Sequence, residues 1–589
     1  MPDRPVPDLR AFLDLLRARG DLVEVTAEVD PRLEIAEIHR RVIARGGPAL
    51  LFRRPRGAAF PVVTNLFGTL ERTTLAFGAR PRQFVERVVH AVETALPPSL
   101  GKLWKLRGLA WEGLKVGMKR RSKGPVTEVE EAPDLTRLPA LTSWHSDGGP
   151  FFTLPLVYTE HPTSGKPNLG MYRMQVHDAT TTGMHFQIHK GGGFHHHEAE
   201  RLGRGLPATV FVGGPPALIL SAIAPLPEDV PELLLASLLL GERLPRVHGK
   251  APHPLVAACE FAFHGTVAAR ERRSEGPFGD HFGYNSLAHD FPVFHVEKVF
   301  RRKDAIFPAT VVGRPRQEDF YIGDFLQDLL SPLFPLVMPA VKEIWAFGET
   351  GFHSLAAARV RPERYAREAL GSALRILGEG QLSLTKCLVV VDDPAVSVRD
   401  ARVLLPHVLE RLDWRTDAIV LGQTAQDTLD YTGPSLNRGS KLVLLATGDA
   451  KRALPSAFAG DLPAGIGRAV PFARGCLVLQ GLPFADDRDA AVRAARHPAF
   501  ADWPLLVLVD DADEASRSPE LFLWTTFTRM EPARDLHGRE AVTARFHTGL
   551  LAPAVIDARM KPGYPEVMEV DAATKALVDR RWPEYGIRG

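Results

Sequence analysis

Apolar residues Leu9, Phe12, Leu13 and Leu16 recur at helical spacing over residues 8–19, and the following DLVEVTAEVD alternates apolar with polar, so a helix and then a strand open the chain. Between 34 and 94, IAEIHRRVIAR and PRQFVERVVHAVETAL carry the helical period, while PALLF and PVVTNLF read as short strands. Residues 1–124 are therefore an α/β region. From 125 to 315 the texture changes to short β-rich runs (FFTLPLVYTE, MYRMQVHD, MHFQIHK, ATVFVGG, ALILSAI, PVFHVEKVF) punctuated by Gly, Pro and Asp, which predicts an antiparallel sheet or barrel.

The remainder contains an internal repeat. Leu388-Val-Val-Val-Asp392-Asp393 recurs as Leu506-Val-Leu-Val-Asp510-Asp511 at an offset of 118, and Leu412 to Asp417 stands against Met530 to Asp535 at that same offset. In each copy an apolar strand ends in two acids and leads into a helical stretch. A duplicated α/β unit, 316–450 and 451–589, is the simplest account; chance likeness between ordinary α/β segments is the competing one.

Composition narrows the function classes. Hydrophobic residues at 45% and charged residues at 24% are ordinary for a globular protein, and a net charge of +2 points to no polyanionic partner, so nucleic acid is not expected. Cys259, Cys387 and Cys476 lie far apart without a CxxC spacing, which argues against a disulfide framework or a cysteine zinc site and fits a reducing cytoplasm. The N-terminus lacks the apolar core of a secretory signal, and no uncharged apolar run of about 18 residues predicts a membrane span. Residues 102–123 hold eight Lys/Arg against Glu112. Such a basic amphipathic helix can lie peripherally on an anionic membrane; a solvated face or a contact between protomers competes.

Candidate chemistry concentrates in Lys166-Pro-Asn168-Leu-Gly-Met171-Tyr172-Arg173-Met-Gln175 and Met184-His185-Phe186-Gln187-Ile-His189-Lys190-Gly191-Gly-Gly. Read as a strand, MHFQIHK puts His185, Gln187 and His189 on one face, and Tyr172 and Met174 lie opposite Arg173 and Gln175. An Asn/His/Glu mixture suits a divalent ion that also grips a phosphate, although a strand histidine is more commonly an outward polar residue. In Glu275-Gly-Pro-Phe-Gly-Asp280-His281 a turn holds two carboxylates at fixed spacing, and Arg173 can pair with one. A carboxylate paired with Arg stays ionised, whereas one in an apolar pocket is raised and can donate near neutral pH.

These stretches resemble the UbiD-type decarboxylases, whose pattern N-x-G-x-Y-R-x-Q, then H-[RK]-G-G, then EGP-[FY]-G-[DE]-H stands here in the same order. The likeness runs from the N-terminal helix to about residue 450. It implies a prenylated FMN, supplied by a separate flavin prenyltransferase, with its phosphate bridged by Mn2+ or Mg2+ beside a monovalent cation, K+ or Na+. The matching ion ligands are Asn168, His189 and Glu232, with Glu228 and Glu260 as competing acids. Flavin contacts fall on Met171, Tyr172, Arg173, His185, Phe186, Gln187, Lys190 and Gly191, with Ser221 and Ala222 at the phosphate end. Lys386, before the first LVVVDD copy, matches a lysine that reaches the phosphate; a strand-edge charge is the alternative. The catalytic trio maps to Arg173, Glu275 and Asp280, with Asp280 as proton donor, and Asp in place of Glu shortens that acid's reach.

The implied reaction is reversible non-oxidative decarboxylation of an aromatic or α,β-unsaturated acid, with quinone-biosynthesis precursors (polyprenyl-hydroxybenzoates, naphthoates) among the family's substrates. Losing CO2 from an sp2 carbon leaves an unstabilised carbanion, so the electrons need a sink that the twenty side chains lack. In the family, a covalent adduct with the prenylated flavin is that sink. The implied fold is α+β: the N-terminal α/β region, a central antiparallel split β-barrel of the flavin-reductase-like kind, and a C-terminal α/β domain, here duplicated, that builds a homo-oligomer, dimer or hexamer. An FMN reductase or oxidase on the same barrel is the rival enzyme class, marked by NAD(P)H oxidation. A degenerate scaffold would have lost Arg173, Glu275 or the ion ligands, and all are present. The run His195-His196-His197 cannot aim all its rings at one ion on a regular element, so a polar loop or helix start is expected; the GGG at 191–193 lacks the strand–GxGxxG–helix context of dinucleotide binding.

Overall fold

The opening helix forms at Leu9–Ala18, capped by the Asp8 carboxylate accepting from the Ala11 N–H at 2.9 Å, and it buries the four apolar positions whose spacing marked it. In this computed structural model, residues 5–95, 115–186, 191–226, 230–365 and 367–588 are described. They fall into two units, 1–329 with 566–589, and 330–565. Among the described residues no helix is long and apolar enough to cross a membrane.

In the first unit Leu22–Val29 pairs in parallel with Ala49–Pro55, and Val62–Thr64 and Phe307–Pro308 extend that sheet. The helices Glu34–Ile43 and Arg80–Ala95 stand where the pattern put them. Beside them lies a wholly antiparallel sheet in the order Thr181–Gly183, His289–Arg301, Phe261–Glu275, Leu206–Val212, Leu156–Glu160, Pro167–Met171, with Val129–Glu131 also on His289–Arg301. The expected split barrel does not close: among the described residues the end strands carry no pairing to each other. One core runs through this unit, from Val25 and Phe52 to Phe261, Phe294 and the C-terminal Val578 and Tyr585. Each such phenylalanine, fully buried, contributes roughly 1.5–3 kcal/mol.

Three expectations are corrected here. ALILSAI is not a strand but the helix Pro216–Ile223, because an apolar run has no period to tell helix from strand and Pro216 sits at a first helical position. Met184 to Phe186 leave the sheet at Gly183 rather than continuing it. Met118–Arg121, inside the basic run read as one helix, is a strand because it finds backbone partners in parallel Leu244–Val247; residues 102–114 of that run lie outside the described residues. The glycine and histidine run forms the helix Gly191–Arg201, and its histidines diverge: His195 Nδ1 lies 2.9 Å from Thr159 Oγ1 and His196 Nε2 lies 3.4 Å from the Ala268 carbonyl.

The second unit holds two five-stranded sheets. The first runs Val341–Ala346, Leu355–Val360, Cys387–Val391, Arg438–Ala446, Ala418–Ala425; the second runs Ile466–Ala473, Cys476–Gly481, Leu505–Val509, Ala554–Asp557, Leu536–His537. Both follow the same order, with outer pairs antiparallel and inner pairs parallel. Their central strands stand at the offset of 118 noted in the sequence. The sheets share one core through Val389, Val391, Val507 and Val509, while Leu388 and Val390 pack with Ala373 and Ile376, and Leu506 and Leu508 with Ala491 and Ala494. Burial on both faces is why these strands read as unbroken apolar runs. Residues 566–589 leave this unit for the first, where Arg581 and the Tyr585 hydroxyl meet Glu34 Oε1 at 2.5 and 2.7 Å. Cys259, Cys387 and Cys476 are buried free thiols.

Candidate active site

The long strand Phe261–Glu275 delivers Glu275 at its last residue, and the chain then turns through Gly276 (φ +97°), where a side chain would be strained, into the small hairpin Phe278–Gly279 with Asn285–Ser286. Two other strand ends converge there. Arg173 follows Pro167–Met171, and His185 follows Thr181–Gly183. Arg173 Nε donates to Glu275 Oε1 at 3.2 Å, one terminal nitrogen donates to Asp280 Oδ2, the other reaches Ser286 Oγ at 3.3 Å, and the guanidinium lies 4.6 Å from the centre of the Phe278 ring. His185 Nδ1 stands 2.8 Å from the same Glu275 oxygen, its ring against Phe291 at 4.2 Å. His281 Nδ1 lies 2.5 Å from Asp280 Oδ1.

Electrostatics follow from this packing. Burial pushes Glu275 up, but His185 and Arg173 outweigh it and hold the carboxylate below the ordinary glutamate value. Asp280 is likewise pushed up by burial and pulled far below the usual range by Arg173 and His281. Burial, aided by Arg173, lowers His185. Glu275 Oε2 is buried without a hydrogen-bond partner, and a Cβ at Gly183 would stand 2.6 Å from it. One carboxylate oxygen therefore packs against the Gly183 backbone in room that any side chain there would take.

Sequence reasoning missed the support. Asp147 accepts from the N–H groups of Ser143 and Trp144 at 2.8 and 2.9 Å and, through its other oxygen, from Gly279 at 2.8 Å, clamping the turn between Glu275 and Asp280; burial pushes its carboxyl to about 6. Gln175, expected on the functional face, joins the clamp through Gly148 O and Gly276 N–H, each at 2.8 Å. The signal was Trp-His-Ser-Asp147-Gly-Gly, an acid before paired glycines, which alone reads as a turn.

The expected ion ligands are partly gathered. Glu232, first residue of the helix Glu232–Leu240, accepts from the Leu169 N–H at 2.9 Å, which sets its carboxylate beside Asn168. Burial raises Glu232, and no cation opposes it among the described residues. Asn168 Nδ2 is buried without a partner. A buried carboxylate lacking a counter-charge among the described residues fits a bound cation, to which Asn168 would offer Oδ1, its Nδ2 being a donor. His189 lies outside the described residues, as do Gln187, Lys190 and the competing Glu228. Glu260 is engaged elsewhere, taking Arg10 at 2.9 and 2.8 Å and the Ile306 N–H at 2.9 Å.

Of the expected flavin contacts, Met171 is half-buried, while Tyr172 turns into the core with its hydroxyl accepting from the Gly192 N–H at 3.1 Å. Phe186 meets the Tyr172 ring edge-on at 5.1 Å. A Cβ at Gly191 would come 2.0 Å from Asn168 Oδ1, so glycine there lets the helix start close over the amide. Ser221 is fully buried and donates to the Ala217 carbonyl at 2.7 Å, with Ala222 half-buried beside it. Lys386 belongs to the second unit, where it pairs with Asp430 at 2.7 Å; the matching position of the second copy is Pro504.

Three stretches match one family's domains: residues 13–92 the 3-octaprenyl-4-hydroxybenzoate carboxy-lyase N-terminal domain, 118–315 its Rift-related domain, and 320–446 its C-terminal domain. A Chlamydia pneumoniae protein named as one of the subunits of a 4-hydroxybenzoate decarboxylase is 51% identical over 98% of both chains. An uncharacterized protein of Archaeoglobus fulgidus is 39% identical over 75% of this chain and 91% of its own. Among solved structures, an evolved dimeric form of the UbiD-class enzyme HmfF from Pelotomaculum thermopropionicum, in complex with prFMN, is 25% identical with a TM-score of 0.61, covering 78% of this chain and 97% of its own. The closed form of Sedimentibacter hydroxybenzoicus vanillic acid decarboxylase, 23% identical, shares the fold with a TM-score of 0.65 over 78% of this chain and 96% of its own. Since all three domains of one family follow one another here in order, and the Rift-related one supplies the arginine and carboxylates gathered at the sheet end, this chain belongs to the UbiD family of carboxy-lyases.

Proposed function

We propose that this carboxy-lyase acts reversibly on an aromatic or α,β-unsaturated carboxylic acid, with prenylated FMN as its cofactor. The observation that carries this reading is a half-buried guanidinium held between Glu275 and Asp280, together with Glu232, uncompensated beside Asn168. In this reading Asn168, His189 and Glu232 would hold Mn2+ or Mg2+, with K+ or Na+ nearby. When bound, the prenylated flavin supplies the electron sink that decarboxylation of an sp2 carbon requires.

The chain's own residues do the rest by placement and charge. Arg173 orients the substrate carboxylate, exchanging Asp280 for an equally charged partner. Glu275, kept ionised by His185 and Arg173, fixes the guanidinium over Phe278. Asp280, relieved of Arg173, takes up a proton and delivers it to the carbon that CO2 has left.

Hydroxybenzoates head the substrate panel because the half-identical Chlamydia pneumoniae relative carries that name; polyprenyl-hydroxybenzoates and naphthoates of quinone biosynthesis come next. The shared strand order of the two C-terminal sheets supports an internal duplication. The test is co-expression with a flavin prenyltransferase, native mass spectrometry and absorbance for bound cofactor, then CO2 release from the panel. Binding of unmodified FMN with NAD(P)H oxidation and no CO2 release would refute the reading.

A further inference from the structure

Asp280, the expected proton donor, holds no proton in this arrangement, since Arg173 and His281 keep it ionised. A step that ends by protonating carbon needs a proton from somewhere close. The first turn of the helix Glu318–Leu330 carries two acids that differ sharply, and the second of them faces His281 and Asp280. Glu318 is fully engaged, accepting from the N–H groups of Asn65 and Phe67 at 3.2 and 2.8 Å and from the Thr310 hydroxyl at 2.6 Å. Asp319 has both carboxyl oxygens buried with no side chain bonded to either among the described residues; only the backbone N–H groups of Asp319 and Phe320 lie close to its carboxyl.

An ionised carboxylate in that setting is strongly disfavoured, whereas the neutral acid is tolerated. The charges facing Asp319 come from the catalytic turn, His281 and Asp280; on its own helix Glu318 is turned toward Asn65 and Phe67, and Asp324 pairs with Arg316. Burial pushes the Asp319 carboxyl up to about 7, against the pull of His281. Two acids thus share one corner, one ionised and the other keeping its proton until the pH approaches about 7.

We infer that Asp319 is the proton store of this site, recharging Asp280 by way of His281 in each turnover. The inference rests on the decarboxylase reading above. The Asp319 O–H bond breaks, and its proton passes through the His281 ring to the Asp280 carboxylate once the substrate's carboxylate has drawn Arg173 away. The Asp280 O–H bond then breaks as the new C–H bond forms on the carbon from which CO2 has left, using the electron pair of the broken C–C bond. A proton from solvent, taken up by the partly exposed His281 ring, then returns to Asp319. Asp319 touches no reacting atom; it acts through Asp280 as a positioning residue for the proton.

Asp319→Asn keeps the side chain's outline and Asp319→Glu keeps its acid. In the apo chain, infrared difference spectra between about pH 5 and about pH 9 should show a buried carboxyl C=O band that Asp319→Asn abolishes. The buried Asp147 carboxyl, near 6, contributes a second band to both proteins; the absence of any component titrating near 7 in the wild type, or its survival in Asp319→Asn, overturns the proposal. In the holoenzyme, Asp319→Asn should lower kcat about 100-fold with KM within about threefold, and Asp319→Glu should recover at least about a tenth of wild-type kcat. Wild-type kcat should fall as pH rises through about 7, and Asp319→Asn should lack that limb. Full kcat in Asp319→Asn, or a lowered kcat with the limb intact, overturns the proposal. A wild-type enzyme that releases no CO2 from any acid while the carboxyl band titrates marks failure of the decarboxylase reading and upholds the protonated store.

Discussion

Replacing Asp280 by Asn separates chemistry from folding by its two magnitudes. The amide preserves the outline of Asp280 and removes its charge. Arg173 retains Glu275 at 3.2 Å and Ser286 at 3.3 Å, so the fold loses one charge-assisted hydrogen bond, about 1.5–3 kcal/mol. Part of that is offset because an amide costs less to bury than a carboxylate. For a unit of this length the melting temperature moves by roughly 1–2 °C per kcal/mol, a fall of a few degrees at most. Loss of a general acid costs about 10²–10⁴-fold in rate, equivalent to roughly 3–5 kcal/mol of barrier. The assay is CO2 release at saturating substrate by wild-type and Asp280→Asn holoenzymes matched for flavin content by native mass spectrometry. Near-normal melting, full flavin and a rate depressed at least about 100-fold are expected. A rate within about fivefold of wild type at full flavin occupancy would show that Asp280 is not the donor.

Glu232→Gln removes the carboxylate that no cation balances in the described residues, so Mn2+ titration of the apo chain should show affinity lowered at least about tenfold; an unchanged Kd transfers the ligand role to another acid. Gly191→Ala drives a Cβ to within 2.0 Å of Asn168 Oδ1. It should cost about 1–3 kcal/mol by denaturant unfolding and weaken Mn2+ binding as the amide is displaced, and a neutral effect on both would dissociate Gly191 from the Asn168 corner. Asp319 supplies a pH test of stability. Its folded-state carboxyl, near 7, lies above the ordinary 3.8, so the folded chain holds a proton that the unfolded chain releases, and stability is lost as pH rises through that window. Asp319→Asn should therefore melt above wild type near pH 8 and level with it near pH 4, by calorimetry; a gap independent of pH contradicts the assignment.

The sequence by itself determined the elements whose residues have one face to bury. Leu9, Phe12, Leu13 and Leu16 give their helix because a period of 3.6 leaves a single apolar stripe, and the LVVV runs give inner parallel strands because both faces are covered. The motifs around Arg173, Glu275 and Asp280 were legible for a similar reason: their residue types carry the chemistry wherever the backbone places them. Tertiary structure alone decided the rest. ALILSAI could not be read as a helix, since a continuous apolar run has no period, and the basic residues 118–121 became a strand only because Leu244–Val247 lay beside them. His185 became a partner of Glu275 rather than a strand-face residue once the sheet ended at Gly183, and Asp147 became the clamp of the turn between Glu275 and Asp280 through backbone N–H groups that no motif encodes. Whether Asp319 keeps a proton depends on how completely distant segments exclude water from its carboxyl, and desolvation is a property of the packed structure that no stretch of sequence carries.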